Sequence, residues 1–220
     1  MSFSWNGLHV LITSGPTREF LDPVRFITNA SSGKMGWALA EEARRLGARV
    51  TVVSGPVSTP APEKVSVKWI ETAFEMRNQV LKMAKKADII ISAAAVTDWR
   101  PKKFSPSKIK RKKGEVRLSL LPNPDIIREI GEIKKKKEGR PQRRPVLIGF
   151  SLETNGLERS SLKKMREKNL DMIVANSPAS LSSEKIRATL FSKIGSKKKL
   201  PLLSKRLCAR KILKEAGNFL

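Results

Sequence analysis

The feature that most constrains this chain is an alternation: short apolar runs rich in β-branched residues, separated by segments of helical period. Residues 8–13 form a buried-strand pattern closed by Ser14-Gly15-Pro16. Met35 to Leu46 places Trp37, Leu39, Ala40, Ala43 and Leu46 at helical spacing, with Gly47 where a left-handed cap belongs. Arg49–Ser54 and Val65–Ile70 read as strands. Thr72–Lys86 reads as a helix with Thr72 as N-cap and Glu75 completing a capping box. Asp88 to Val96 is continuously apolar, the pattern of a central parallel strand.

From Thr97 to Lys113 the period dissolves into a Pro/Lys/Ser segment, a flap at about 99–115. Beyond it the spacing predicts a short strand at Val116–Leu121 and a helix from Asn123 or Asp125 to about Lys137. A strand at Val146–Phe150, a helix at Gly156–Lys168 and a strand at Met172–Ala175 follow. A hairpin pairs 188–194 with 199–203, and Lys205–Ala216 is a terminal helix. The prediction is an α/β fold: a Rossmann-like, mostly parallel sheet with helices on both faces, plus the flap and a small β-hairpin. It forms a single domain over residues 1–220.

Composition removes several chemistries. With Cys208 and His9 the only residues of their kinds, no intrachain disulfide is possible, and a Cys/His zinc site or a Ser-His-Asp triad has little to build on. His9 sits in the first apolar run and reads as a core or strand-end imidazole. No 18-residue apolar stretch exists and residues 1–7 lack a signal-peptide layout, so the expectation is a cytoplasmic protein with no membrane partner. Charge is lopsided. Of 45 basic and 20 acidic residues, positions 1–98 hold 12 and 9, whereas positions 99–220 hold 33 and 11. That points to a polyanionic or phosphorylated partner, or to a Lys-rich solvated surface. Lys134–Lys137 and Lys197–Lys199, without interleaved aromatics, read as solvated surface.

Ligands of open parallel sheets bind beyond the carboxyl ends of the strands. The loop after the first strand ends in Asn29-Ala30-Ser31-Ser32-Gly33-Lys34-Met35-Gly36 and opens directly into a helix, a pattern that suits an anion cradle. An ordinary Ser/Gly helix cap is the plain alternative. It is no Walker A loop, because Met35 stands where Ser or Thr is needed, and no G-x-G-x-x-G. After the fourth strand, Ala93-Ala94-Ala95-Val96-Thr97-Asp98 offers room for a ligand and one carboxylate. Lys108-Ile109-Lys110-Arg111-Lys112-Lys113 then puts dense positive charge on the flap, suited to a triphosphate or to a nucleic-acid backbone.

Seven segments in order, 12–36, 53–57, 92–101, 107–114, 121–127, 148–155 and 168–176, closely resemble the phosphopantothenoylcysteine synthetase family (phosphopantothenate–cysteine ligase) of coenzyme A biosynthesis. The resemblance covers nearly the whole chain and implies the stand-alone ligase rather than the form fused behind a decarboxylase. It implies that 4′-phosphopantothenate, CTP and L-cysteine are the substrates, with an acyl-cytidylate intermediate and Mg²⁺ accompanying CTP; the metal ligands stay unassigned. No activated Ser, Cys or His is needed, since the substrate carboxylate is the nucleophile.

By the same resemblance Gly15, Ser31, Gly33 and Gly36 cradle nucleotide phosphates. Asn29 binds phosphopantothenate and covers the intermediate. Arg25 crosses into the neighbouring subunit of a homodimer, and Lys108 is the main catalytic cation. Ser92, Ala93, Ala94, Ala95 and Asp98 surround nucleotide and pantothenate; Pro124, Asp125, Ile126, Ile127, Phe150, Lys164, Lys168 and Asn176 take the base-and-ribose side. The flap departs from the family's Lys-x-Lys-Lys by Arg111. A dinucleotide-dependent oxidoreductase also fits the alternation but lacks its glycine fingerprint. A nucleic-acid-binding module also fits the charge but shows no recognised motif.

Overall fold

The computed structural model describes residues 4–111, 113–136, 144–178 and 183–220. Its first half runs β1 (His9–Ser14), β2 (Arg18–Phe20), β3 (Phe26–Thr28), α1 (Lys34–Arg45), β4 (Arg49–Ser54), β5 (Ser66–Trp69), α2 (Ala73–Ala84) and β6 (Ile89–Ser92). There follow β7 (Trp99–Pro101), β8 (Leu120–Pro122), α3 (Ile126–Lys136), β9 (Val146–Leu152), α4 (Leu157–Glu167) and β10 (Met172–Asn176). The chain closes with β11 (Lys185–Ile186), β12 (Ala188–Ser192), β13 (Lys197–Lys199), β14 (Leu203–Ser204) and α5 (Lys205–Ala216).

One eight-stranded sheet has the order β13-β12-β10-β9-β6-β1-β4-β5. The six strands from β10 to β5 are parallel; β12 and β13 are antiparallel. The period-2 alternation of each strand feeds two cores. Val10, Ile12, Ile89, Ile91 and Ile148 share a core with Trp37 and Leu39 of α1 and Cys208 and Ile212 of α5. Leu11, Ile90, Leu147 and Ile173 share the other with Met76 of α2, Ile130 of α3 and Met165 of α4. Central strands covered on both faces are the reason these runs are apolar without a break. His9 is buried, its ring bonded to Thr51 Oγ1 at 2.9 Å, and burial pushes the Cys208 thiol up to about 11. Among the described residues, no helix is long and apolar enough to cross a membrane.

Several sequence-based boundaries shift for physical reasons. The strand expected to reach Val96 ends at Ser92. Past it the chain turns across the end of β1, with Ala93 N–H donating to the Thr13 carbonyl and Ala95 N–H to that of Gly15 (3.2 and 2.9 Å). The strand expected at Val116–Leu121 is confined to Leu120–Pro122, paired with Trp99–Pro101 as the stem of the flap. Val116 and Leu118 stay exposed, so their alternation meets no covering surface.

The expected hairpin is not a separate unit but the edge of the main sheet, and its second arm is Lys197–Lys199 rather than 199–203. Lys137 lies outside the described residues. Lys134 is not freely solvated: its side chain is only 11% exposed and paired with Asp171, which also accepts from Lys193. The helix that begins at the candidate site thus ends by anchoring a lysine at the opposite end of the sheet. Thr72 caps α2 as expected, accepting from Glu75 N–H at 3.2 Å. The Glu75 carboxylate, however, accepts from Glu71 N–H (2.9 Å) instead of Thr72.

Candidate active site

Beyond the carboxyl ends of β1, β6, β9 and β10 lies a cavity of about 520 Å³. Four stretches of chain wall it: Asn29–Gly36 entering α1, Ser92–Asp98 after β6, Asn123–Ile127 entering α3, and Phe150 with Leu152 on β9. Lys164 and Lys168 at the end of α4, Asn176 at the end of β10, Ile186 and Lys205 complete it. Of the residues singled out in the sequence, Asn29, Ser31, Gly33, Gly36, Ser92, Ala93, Ala94, Ala95 and Asp98 line this one space. So do Pro124, Asp125, Ile126, Ile127, Phe150, Lys164, Lys168 and Asn176. Gly15, Arg25 and Lys108 do not.

The α1 end of the cavity is built by close approach. Ser14, the last residue of β1, donates from Oγ to the Gly33 carbonyl (3.1 Å), and a Cβ on Gly36 would sit 2.2 Å from that same Oγ. Glycine at 36 is therefore required for the helix to rest on β1. No side chain caps α1; Gly33 is left-handed at φ 71°, and the first turn begins at the cavity wall. Gly15, at φ +70°, supports this arrangement from outside the lining, since a Cβ there would meet the Gly55 carbonyl at 2.9 Å.

The other walls are tied to this one. Asn29 Nδ2 donates to the carbonyls of Ala95 and Val96 (3.2 and 3.1 Å). Thr17 and Thr97 share a buried hydroxyl bond of 2.7 Å, and buried Glu19 accepts from Thr97 and from Ala73 N–H, the first residue of α2. The Thr17-Arg18-Glu19 stretch is thus scaffold for the site. Asn123 Nδ2 donates to the Thr97 carbonyl at 2.8 Å, fixing the start of α3 against the β6 loop.

On the α3–α4 side Lys168 Nζ lies 2.9 Å from Asp125. Burial alone would raise the Asp125 carboxyl, but Lys168 and Arg128 outweigh it and hold the group below its ordinary value. Lys164 donates to Glu153 at 2.5 Å, and Glu153 also accepts from Ser151. Asp98 is exposed at the cavity edge, and among the described residues its carboxylate has no hydrogen-bond or ion-pair partner.

Arg25 and Lys108 belong to the flap root. Asp22 is fully buried: its Oδ1 accepts from the N–H groups of Val24 and Arg25, and its Oδ2 from Ile109 N–H (3.0 Å) and the Arg25 guanidinium (2.6 Å). Arg25 donates onward to the Ile109 carbonyl at 2.5 Å. Burial pushes the Asp22 carboxyl up, yet these donors together hold it well below the usual carboxylate range. Lys108, next to Ile109, is exposed. Asp22 therefore fixes where the flap lysine begins, a role that the sequence motif alone did not assign. Lys205 was likewise missed; its signal was a lysine at the first position of a predicted helix, where a cation opposes the helix dipole.

Most of these motif segments line one cavity. Residues 5–219 match the family described as the DNA/pantothenate metabolism flavoprotein C-terminal domain. The chain belongs to that family. A relative in Bacillus subtilis (strain 168), the coenzyme A biosynthesis bifunctional protein CoaBC, is 44% identical over 214 residues, covering 95% of this chain and 51% of that protein. The chain thus spans about half the length of the curated relatives it matches. The crystal structure of the C-terminal domain of a CoaBC protein superposes with a TM-score of 0.81 at 39% identity, over 97% of this chain and 96% of that one. A Cab2 variant in complex with phosphopantothenate-cysteine shares the fold of this family at TM-score 0.75 and 18% identity, over 96% and 87% of the two chains.

Proposed function

We propose that this chain is a phosphopantothenate–cysteine ligase of coenzyme A biosynthesis that activates its acid with CTP. The observation that carries the reading is the gathering of the motif segments around one cavity together with Lys34, Lys164, Lys168 and Lys205. The substrate carboxylate attacks the α-phosphorus of CTP. The bond to pyrophosphate breaks, and an acyl-cytidylate forms. The cysteine amine then attacks the acyl carbon, CMP leaves and a proton is released. Both steps need positioning and stabilisation of phosphate charge more than an activated side chain.

In this scheme the first turn of α1, with Ser31, Gly33 and Gly36, takes phosphate oxygens, while Gly15 supports it from behind. Asn29, already bonded to the β6 loop, spans pantothenate and intermediate. Asp125, Ile127, Phe150, Lys164 and Lys168 hold base and ribose, and Lys108 swings its ammonium over the triphosphate. Arg25, next to the flap root and outside its own cavity, reaches the site of a second copy in a homodimer. Among the described residues no group of three or more His, Cys, Asp or Glu forms a metal cage. Magnesium, which is commonly held by one or two carboxylates plus substrate phosphates, fits here as a companion of CTP, with Asp98 as its protein ligand. When bound it neutralises phosphate charge. A cytoplasmic location belongs to the same reading.

The test is pyrophosphate release with each nucleoside triphosphate in the presence and absence of phosphopantothenate. The expected result is release that requires phosphopantothenate and is fastest with CTP, with the acyl-cytidylate detected by mass spectrometry when cysteine is omitted. Release independent of phosphopantothenate would overturn the reading.

A further inference from the structure

A second cavity, of about 470 Å³, opens at the amino ends of β9 and β10, at the opposite end of the sheet from the candidate active site. Its lining is rich in cations: Lys134 and Lys135 from the last turn of α3, Arg166 from the last turn of α4, Lys193 from the turn after β12, and Arg144 ahead of β9. Among the described lining residues Asp171 is the one carboxylate. None of these residues takes part in the proposed ligase site.

The Asp171 carboxylate is already shared. It is buried and accepts from Leu147 N–H at 2.7 Å and from both Lys134 and Lys193. Burial pulls the Lys134 ammonium below its ordinary pKa; Asp171 opposes that shift, and the charges of Lys193 and Arg144 add to it, so the cations of this cavity feel one another. Lys135 and Arg166 are exposed, and among the described residues their side chains have no hydrogen-bond or ion-pair partner. Arg144 adds charge and has an interaction of its own. The plain account of such cations is that they answer the carboxyl ends of α3 and α4, each of which presents about half a negative charge. Two such ends and one carboxylate offset about two of the charges on Lys134, Lys135, Arg166 and Lys193, and about two remain. Leu162, Met165 and Leu170 give the same cavity an apolar part.

We infer that this cavity is a second ligand site, which takes a small anion bearing a diphosphate group, either inorganic pyrophosphate or a nucleoside diphosphate. A diphosphate brings two or more negative charges on neighbouring oxygens and so matches the surplus, which a single carboxylate does not. Lys135 and Arg166 are its binding residues: the guanidinium fork suits two phosphate oxygens at once, and the ammonium serves as a point charge. A concave space of this size fits a small molecule. The site goes beyond the ligase reading and does not depend on it.

The experiment is isothermal titration calorimetry at low ionic strength and without Mg²⁺, with inorganic pyrophosphate and, separately, with ADP. It compares wild type with the double variant Lys135→Gln, Arg166→Gln. Both replaced side chains are exposed and unpaired, so the variant should keep the wild-type Tm; Arg166→Gln alone serves if it does not. Wild type is expected to show a binding event that the double variant weakens about tenfold or more, the scale of a lost hydrogen bond to a charged group. Pyrophosphate release at the candidate active site should stay at its wild-type level. Weakening with both ligands shows that the diphosphate group itself is recognised, and weakening with ADP alone shows that the nucleoside adds contacts on the apolar part; either supports the site. Identical isotherms for wild type and variant would place any bound anion elsewhere and overturn it, as would no binding by wild type at millimolar ligand. Binding of a single-stranded oligonucleotide with neither small ligand bound would also overturn it, and the charge would then serve a nucleic acid.

Discussion

The two ends of the main sheet both hold buried charge, and they treat it in opposite ways. At the amino ends of the strands the polar groups close on one another. Asp171 accepts from Leu147 N–H at 2.7 Å and from Lys134 and Lys193, while Asp88 accepts from His9 N–H at 2.8 Å. At the carboxyl ends some capacity is left over among the described residues: Ser32 Oγ and Asn123 Oδ1 are buried without a hydrogen-bond partner, and the Asp98 carboxylate at the cavity edge is unpaired. Buried polar groups in folded proteins are ordinarily satisfied. The candidate active-site cavity lies at the carboxyl end, and the network around Asp171 ties elements together at the amino end.

The largest effect expected from breaking this comparison lies at the closed end. Asp171→Asn leaves Lys134 without its partner and should cost about 3 kcal/mol or more of unfolding free energy, the scale seen when one member of a buried pair is removed. Urea denaturation measures it, and turnover per folded molecule should not change. A destabilised, inactive but fully folded variant would show that the two ends are coupled.

The open end should behave in reverse. Lys108→Gln is expected to lower turnover on the order of a hundredfold or more, the range of a lost electrostatic stabiliser, with no change in Tm because the side chain is exposed. Turnover within about threefold of wild type is too small for such a role and would remove Lys108 from the catalytic set.

Asp22 joins the two behaviours, since it is buried and satisfied yet sits under the flap. Its folded pKa lies below the unfolded value of about 3.9. Its contribution to stability is therefore fully present above that value and is lost as pH falls through the folded pKa. Asp22→Asn should be less stable than wild type at neutral pH, and the gap should narrow as the solution is acidified below about pH 4. Urea midpoints across the acid range test this, and a gap independent of pH would show that the charge of Asp22 is irrelevant.

The smallest effect concerns the lysine run at the end of α3. Lys135→Gln with Lys136→Gln should leave stability and kcat/KM unchanged at low and at physiological salt, because exposed charges are screened within about 8–10 Å. Lys134→Gln should lower stability, because that lysine is buried on Asp171.

Most of the sheet was legible because its signal is local. β4 and α5 fall on their predicted bounds, and β1, β10 and α1 within a residue or so, since apolar runs covered on both faces leave no ambiguity of period. The misses share a cause. Val116 and Leu118 alternate like a strand but meet no surface; Ala93–Val96 are apolar like a strand but line a cavity; Lys134 resembles its solvated neighbours but reaches a carboxylate brought there by β10. None of these can be read from residues nearby in the chain.

The site divides the same way. The glycine- and alanine-rich loops were visible as motifs. Lys205 reaches the cavity only because α5 packs beside α1 on one face of the sheet, so its place depends on a contact between residues far apart in sequence.

The antiparallel edge strand β13 has a consequence for assembly. All three of its residues, Lys197, Lys198 and Lys199, are exposed. If a second molecule added its own β13 alongside, lysine would stand against lysine, and although Lys197 and Lys198 are paired with Glu158 and Glu215, edge lysines disfavour such a ladder. Such an edge is disfavoured as a place for the sheet to continue into a second chain. The homodimer proposed above would then be joined elsewhere on the surface.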